Sequence, residues 1–301
     1  MTQANHANKK LQKFIGKRNE WFTAYDVVQG EPNSILRQIH GMLLTEMSYR
    51  VAIQEHREQN ANGISSPPIM GFLLDSGYFS SQILAIRKLL DKGTDVLSLR
   101  RVLDDIQKNK KLIPREIFVS FDGTPYDIVP FELSTPGLQP MDSPFSMQMK
   151  CRMRHERFDG LSRVSPDKRT SKDLIHDSIF ERLEAWLEEG GVENLRKISN
   201  KYVAHAADAR SRADVVGNLL AFDEIEAAQR AIIRVTQAIF DIILSSDTYS
   251  PVVPMVPSGY FGNVWDGNSM VVSTTRMQAR WDSLEEIRNE WSKGIEEELI
   301  A

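Results

Sequence analysis

The sequence predicts a mainly α protein, a bundle of five or six helices with an irregular insertion and a C-terminal arm. Two observations support this prediction. Apolar residues recur at spacings of three and four along most of the 301 residues, which is the period of an amphipathic helix. Proline and glycine concentrate in two stretches, 113–170 and 249–275, which divide the helical regions.

The composition is that of an ordinary globular protein and excludes several functional classes. The 37 Lys and Arg against 41 Asp and Glu give a net charge of −4, which excludes a strongly basic, histone-like nucleic-acid binder. Cys151 is the single cysteine, and the six histidines are scattered, so we expect no disulfide, no metal and no cofactor. No apolar run reaches the ~18 residues of a membrane span. We therefore expect a cytoplasmic protein that does not contact a membrane.

The helices of the N-terminal half follow from their apolar stripes. A helical arm over residues 1–31 precedes the bundle. The first bundle helix spans 32–59, and Pro32 suits its first turn, where the missing N–H has no partner to lose. The second helix stops at Gly93, and the third spans 96–111. The positions predicted to be buried in these three helices are Leu36, Ile39, Leu43, Met47, Val51, Phe72, Phe79, Ile83, Ile86, Leu90, Leu99, Val102, Leu103 and Ile106.

The insertion over 113–170 lacks helical spacing and contains seven prolines and three glycines. It is either ordered, with short strands such as one over 117–121, or partly disordered. Its second half is basic, with eight Lys or Arg against three Asp or Glu between Lys150 and Lys172. We therefore expect an irregular, partly β segment that carries a local positive charge.

Helical spacing resumes after the insertion. Ser171 or Thr170 is a candidate N-cap, Thr170 and Asp173 resemble a capping box, and Gly190–Gly191 ends this helix. Another helix opens at Val192.

The domain organisation follows from these elements. The clearest helical period covers 223–245, and it closes a helical domain over 32–247 that contains the insertion. Residues 248–301 form a Pro-rich arm followed by an acidic helix over 279–300, which we interpret as a solvated face or an acidic patch for a partner.

The segment 195–208, LRKISNKYVAHAAD, is the candidate functional site. Lys201 and His205 are four residues apart, so a helix places them on one face, and Arg196 and Asn200 form a second such pair. The candidate residues of this segment are Arg196, Ser199, Asn200, Lys201, Tyr202 and His205.

These residue types suit cleavage of a phosphodiester bond in RNA without a metal. A 2′-hydroxyl must lose a proton, the 5′-oxygen must gain one, and negative charge accumulates on phosphorus. Histidine titrates near neutrality and can transfer the protons, and a cation can offset the charge. The alternative reading is a solvated helix end whose cations complement the helix dipole.

The string from Ser199 to His205, SNKYVAH, resembles the signature of the HEPN superfamily, and most closely its abortive-infection, AbiU2-like branch. That branch typically carries Arg-Asn-Lys, two variable residues and Ala-His. Upstream, Arg87, Asp91 and the Ser98–Leu99 pair also resemble it. The resemblance covers roughly residues 35–245, interrupted by the insertion.

The resemblance implies a helical bundle that forms a homodimer, with the two motif helices making one cleft. Many relatives cleave RNA there without metal as toxins in defence or toxin–antitoxin systems, so RNA and an antitoxin or other defence protein are the expected partners. Other relatives have lost catalysis and act as binding or scaffold modules. By position, His205 matches the catalytic histidine and Asn200 the polar residue of the motif.

The sequence departs from the motif at one position, because Ser199 stands where the resemblance leads us to expect the catalytic arginine. Loss of such a group commonly lowers the rate by about 100-fold or more. Arg196 or Lys201 is the candidate substitute. The departure favours a degenerate binding module, whereas Asn200 and His205 favour a nuclease.

Two further groups of residues are candidates. Lys150, Arg152, Arg154 and Arg157 either contact RNA phosphates or belong to a solvated loop or edge strand. Arg87 and Asp91 are spaced for an ion pair on one helix, and Arg87 either supports the motif helix or points into the cleft.

Overall fold

The computed structural model describes residues 3–26, 33–61, 68–128, 144–199, 221–245, 252–254 and 270–301. These ranges are mainly helical and contain no strand, which confirms the predicted mainly α class. The helices are α1 (Gln3–Tyr25), α2 (Ile35–Ala61), α3 (Pro68–Leu89), α4 (Leu99–Asn109), α5 (Arg115–Ser120), α6 (Pro144–Ser162), α7 (Asp177–Glu189), α8 (Val192–Ile198), α9 (Phe222–Gln237), α10 (Met270–Glu290) and α11 (Ile295–Ile300). A π-helical turn, Ala238–Ile243, continues α9.

The centre of the bundle is built by α2, α3, α7 and α9. Helix α3 packs along α2, and α9 packs against α7 and α3. The apolar stripes predicted for these helices supply their buried faces: Ile39 and Leu43 of α2 and Ile225 and Ile232 of α9 are fully buried. The prediction that Phe72 is buried is wrong, because it is 68% exposed in the first half of α3, where its neighbours Ile69 and Leu73 are exposed as well.

The N-terminal helix α1 packs on the bundle. Phe14 and Trp21 are buried in the main core, and the Trp21 indole Nε1 donates to the Asp105 carboxylate of α4 at 2.8 Å. The predicted N-terminal helical arm is therefore a helix whose apolar face completes the core on the side of α4.

The predicted strand over 117–121 is wrong, because Arg115–Ser120 forms helix α5. Ile117, Phe118 and Val119 are all buried, so the short run shows no exposed face from which a helical period can be recognised. The predicted irregularity of the insertion is also wrong for its second half, which forms the 19-residue helix α6.

The sequence did not predict helix α6 because the buried face of this helix is partly polar. Arg154 and His155 are buried beside Cys151 and Phe158, so the apolar period is interrupted. The buried Arg115 of α5 joins the two helices, since its guanidinium donates to the Asp159 carboxylate at 2.7 Å.

The predicted helix start at Ser171 is also wrong. Thr170 donates to the Asp173 carboxylate as in a capping box, but these residues form a turn whose Asp173 is held by Arg115. Helix α7 begins at Asp177 with His176 as its N-cap. The predicted stop at Gly190–Gly191 is confirmed.

The acidic helix predicted over 279–300 is divided into α10 and α11 by Gly294, which has a φ of +67°. Some of its acidic side chains form ion pairs with other helices of the molecule. Glu296 receives two hydrogen bonds from Arg157 of α6, and Glu298 pairs with Arg234 of α9. Helix α10 lies along α2, where Arg288 contacts the buried Glu46.

Candidate functional site

The entry to the candidate motif is a turn between α7 and α8 that requires glycine at two positions. Gly191 has a φ of +65°, which side chains other than glycine rarely adopt. A Cβ on Gly190 would lie 2.6 Å from the Cβ of Ala231 in α9. Gly190 therefore lets the end of α7 lie close against α9, Gly191 lets the chain turn into α8, and α8 packs against α3.

Helix α8 buries one side and exposes the other. Val192, Leu195 and Ile198 are buried, and Ser199 continues the helical backbone as the C-cap. The side chain of Ser199 is fully buried, and its Oγ has no hydrogen-bond partner in the described part of the chain. The position at which a catalytic arginine is expected thus faces the protein interior.

Arg196 lies on the exposed side of α8 and forms an ion pair one turn back with Glu193. Its Nε lies 2.8 Å from Oε2 and its Nη2 lies 2.7 Å from Oε1 of that carboxylate. The hydrogen bond from Arg196 lowers the pKa of Glu193, and the charges of Lys197 and Lys92 add to the effect. The hydrogen bond to Glu193 raises the pKa of Arg196, and the charge of Asp91 contributes.

Arg87 lies in the last turn of α3, and Asp91 follows the end of that helix. Among the described residues, neither side chain forms an ion pair, so their predicted salt bridge is absent there. Asp91 instead accepts a hydrogen bond from the Gly93 N–H at 2.8 Å, and its carbonyl accepts from Ser98, the N-cap of α4. Arg87 is half-buried on the helix that packs against α8.

The remaining motif residues, Asn200, Lys201, Tyr202 and His205, lie outside the described residues. The described residues contain no group of three or more His, Cys, Asp or Glu side chains arranged to hold a metal ion. Of the candidate residues in the segment 195–208, the structure thus describes the ion-paired Arg196 on the exposed side of α8 and the buried hydroxyl of Ser199.

The four basic candidates of the insertion all lie on α6, and three of them contact carboxylates. Lys150 and Arg154 contact Asp122, and Arg154 is also buried, with Nη1 2.8 Å from the Val119 carbonyl. Arg157 binds Glu296 through both oxygens. Arg152 is exposed and forms no ion pair with the described residues.

The comparison with protein families decides the identity. The family model AbiU2, a HEPN domain, matches residues 33–255. The chain belongs to the AbiU2 family of HEPN proteins. No curated protein and no solved structure matches it significantly.

The AbiU2 match confirms the resemblance drawn from the motif and places the chain among the defence-related, abortive-infection HEPN proteins. It includes α2 to α9 and the whole motif, and it excludes α1, α10 and α11. None of the described helices is long and apolar enough to cross a membrane.

The structure of this AbiU2-family chain also contains a cavity that the sequence did not indicate. Tyr49, Arg57, Phe222 and Arg280 line a cavity between α2, α9 and α10. These residues come from three separate stretches of the sequence, and Arg280 lies outside the family match, so neither periodicity nor motif spacing connects them.

Proposed function

We propose that the protein is a metal-independent endoribonuclease of a bacterial defence or toxin–antitoxin system. The observation that carries the proposal is the AbiU2 membership together with Asn200 and His205 at the matching motif positions. In this reaction, the RNA 2′-hydroxyl attacks the adjacent phosphorus and the bond to the 5′-oxygen breaks. His205 transfers the proton that leaves the 2′-hydroxyl and that the 5′-oxygen gains. Asn200 orients His205 or the phosphate.

The negative charge that develops on the attacked phosphate must be offset by a cation at a position other than 199. Ser199 is buried and neutral, so the charge falls to Arg196 or Lys201. Arg196 must leave Glu193 to do this. Their contact is partly exposed, with 37% and 56% of the two side chains accessible, and such pairs contribute only about 0–1 kcal/mol. A phosphate can therefore displace Glu193.

We also propose that the protein acts as a homodimer and that the exposed face of α3 is the contact. Ile69, Phe72 and Leu73 project from its first half with 63%, 68% and 55% exposure. Further along, the same helix exposes small residues, including Gly77, around which nothing lies within 4 Å of an added Cβ. An antiparallel second copy would place the large residues of each helix on the small residues of the other, which is the self-complementarity that two-fold symmetry requires.

RNA cleavage in EDTA tests the nuclease. Purified protein is incubated with total cellular RNA, and the wild type is compared with His205→Ala. A matched control is His56→Ala, which removes a partly exposed histidine on α2. We expect fragments from the wild type and His56→Ala and none from His205→Ala. Equal cleavage by all three proteins, or by none, would overturn the proposal.

The second candidate is a degenerate HEPN module that binds RNA, an antitoxin or another defence protein without cleaving. The burial of a neutral Ser199 where a cation is expected favours it. Binding of the same RNA by the wild type with no fragments, even after prolonged incubation in EDTA or Mg²⁺, would identify this second function.

A further inference from the structure

A cavity of about 370 Å³ opens between α2, α9 and α10. Its lining comes mainly from the C-terminal half of α2, with Phe222 at the start of α9 and residues of α10 closing it. The volume lies within the range of sites for small organic ligands. The lining residues include Tyr49, Arg50, Arg57, Phe222, Arg280 and Leu284.

One wall of the cavity is aromatic. Phe222 is half-buried and stacks on Tyr49 with ring centroids 5.7 Å apart and an angle of 20° between the rings. Tyr49 stacks in turn on Tyr78 at 4.1 Å, and its hydroxyl donates to Asp75 at 2.5 Å. The rings are therefore fixed in nearly parallel planes, which is the arrangement on which a nucleobase stacks.

The lining also contains three guanidinium groups and no carboxylate. Two of them are positioned by acids outside the lining: Arg50 contacts Glu46, and Arg280 contacts Glu55 with 3.0 Å between Nη1 and Oε2. Arg57 is exposed and forms no ion pair or hydrogen bond with the described residues. It lines the same cavity as Tyr49. Desolvation and the hydrogen bond to Asp75 raise the pKa of the Tyr49 hydroxyl, and the charge of Arg57 opposes that rise.

Two other cavities among the described residues suit an anion less well because carboxylates line them. The cavity beside α4 includes Glu20, Asp104 and Asp105. The cavity over Trp186 includes the acids Glu189, Asp223, Glu226 and Glu298. Of these three cavities, the one at Phe222 is lined by basic side chains and by no carboxylate, and its Arg57 is not engaged by an acid of the described residues.

We propose that this cavity binds a nucleotide, with the base stacked on Phe222 and the phosphate at Arg57. The chemistry is shared by a free mononucleotide and by one nucleotide of a single-stranded RNA. Where RNA is the ligand, the inference rests on the proposed function and adds a binding subsite to it. The described lining comes from α2, α9 and α10 and includes no residue of the segment 195–208.

Binding measured without cleavage tests the site. Full-length His205→Ala protein is titrated with fluorescently labelled AMP and, separately, with a labelled ten-nucleotide single-stranded RNA, and anisotropy is recorded. Arg57→Ala should weaken binding about tenfold, because a charge-assisted hydrogen bond is lost. Phe222→Leu keeps an apolar side chain but removes the ring, and it should weaken binding by a similar factor.

The matched control is Arg230→Ala, an exposed arginine on α9 that lines the cavity over Trp186. Binding of AMP that is weakened by Arg57→Ala and unchanged by Arg230→Ala assigns a free nucleotide. The same pattern with the RNA alone assigns an RNA subsite. Absence of binding by both probes, or equal losses in the two arginine variants, overturns the proposal.

The two proposals fail in different ways. If wild-type protein cleaves RNA in EDTA but neither Arg57→Ala nor Phe222→Leu changes any binding, the nuclease stands and the nucleotide site is overturned. If the probes bind through Arg57 but wild-type protein does not cleave, the site stands and the nuclease is overturned. Thermal unfolding of each variant, followed by circular dichroism, confirms that a loss of binding does not come from unfolding.

Discussion

The Arg196 guanidinium holds the Glu193 carboxylate with two hydrogen bonds of 2.8 and 2.7 Å on the exposed side of α8. The pair lies immediately before the motif, on the helix that leads to Ser199. Glu193 therefore competes with any phosphate for the cation that the motif would otherwise present.

We predict that Glu193→Gln increases RNA cleavage several-fold. The substitution removes the competing charge and leaves the guanidinium of Arg196 available to the phosphate. The initial rate of cleavage in EDTA at pH 7 measures the effect. Glu188→Gln is the control, because Glu188 is exposed at the end of α7 and forms no ion pair with the described residues. A rate that falls in Glu193→Gln as far as in Arg196→Ala would contradict the assignment of Arg196.

We predict that Ser199→Ala stabilises the protein by about 1 kcal/mol. The substitution removes a buried hydroxyl that has no partner in the described part of the chain, and alanine is also the better helix former. Urea unfolding measures the change. A loss of stability greater than about 1 kcal/mol would show that the hydroxyl has a partner.

We predict the opposite effect for Ser199→Arg, with a loss of roughly 3 kcal/mol or more. The guanidinium would enter a position that is fully buried in the wild type, and burying a charge there is strongly unfavourable. A cleavage assay with this variant therefore needs its unfolding curve beside it. Unchanged stability would mean that the arginine reaches solvent, and the expected catalytic position would then be accessible.

The sequence predicted the helices whose buried faces are apolar and failed where they are not. Ile39 and Ile232 lie on stripes with a clear helical period, and both are fully buried. In α6 the buried Arg154 is stabilised by Asp122, which comes from a distant part of the chain. Such a contact exists only after folding, so no local pattern could have revealed this helix.

The same limit applies to the candidate site. The motif is a local string, so the position of His205 within it could be recognised in the sequence. The burial of Ser199 depends on how α8 packs against α3, and the cavity that Arg57 lines exists only because α2, α9 and α10 come together. Both properties are tertiary, and for this reason the sequence could not predict them.

We predict that Phe72→Glu dissociates the homodimer. The charge would lie in the middle of the proposed α3 contact, where burying it without a partner is unfavourable. Light scattering coupled to size-exclusion chromatography measures the mass. Ile287→Glu is the control, since Ile287 of α10 is 45% exposed but lies on another surface. A wild type that is monomeric, or a dimer that survives Phe72→Glu and dissociates in the control, would contradict the proposed contact.

We predict that Asp241→Asn changes the pH dependence of stability. Desolvation raises the pKa of Asp241 to about 6, although Arg157 opposes the shift. The folded state therefore keeps a proton that the unfolded chain releases above about pH 4, and stability falls as the pH rises from about 4 to about 6. The variant lacks this fall and should be more stable at pH 7 by about 1–2 kcal/mol, allowing for partial exposure.

Urea unfolding of wild type and Asp241→Asn at several values between pH 4 and pH 7 checks this prediction. The difference between the two proteins should grow up to about pH 6 and then stay constant. Asp167→Asn, at an exposed position, should show no such growth. A difference that is already complete at pH 4 would mean that Asp241 is ionised throughout.

We predict that Arg288→Ala destabilises the protein by about 3 kcal/mol and detaches α10 from α2. Arg288 is 1% exposed, and its Nη2 lies 2.6 Å from Oε1 of Glu46, which is fully buried. Removal of Arg288 leaves the buried charge of Glu46 with one fewer positive partner, and such a loss costs several kcal/mol. Arg50, which also contacts Glu46, limits the loss.

The control for this pair is Lys293→Ala, which removes an ion pair on the surface with Glu290, and we expect a loss below about 0.5 kcal/mol. Urea unfolding gives both values, and limited proteolysis near the start of α10 reports its detachment. Because α10 supplies Arg280 to the cavity at Phe222, Arg288→Ala should also weaken AMP binding. Equal stability losses in the two variants would show that the Arg288–Glu46 contact does not hold α10, and the wall of the proposed nucleotide site would then need another anchor.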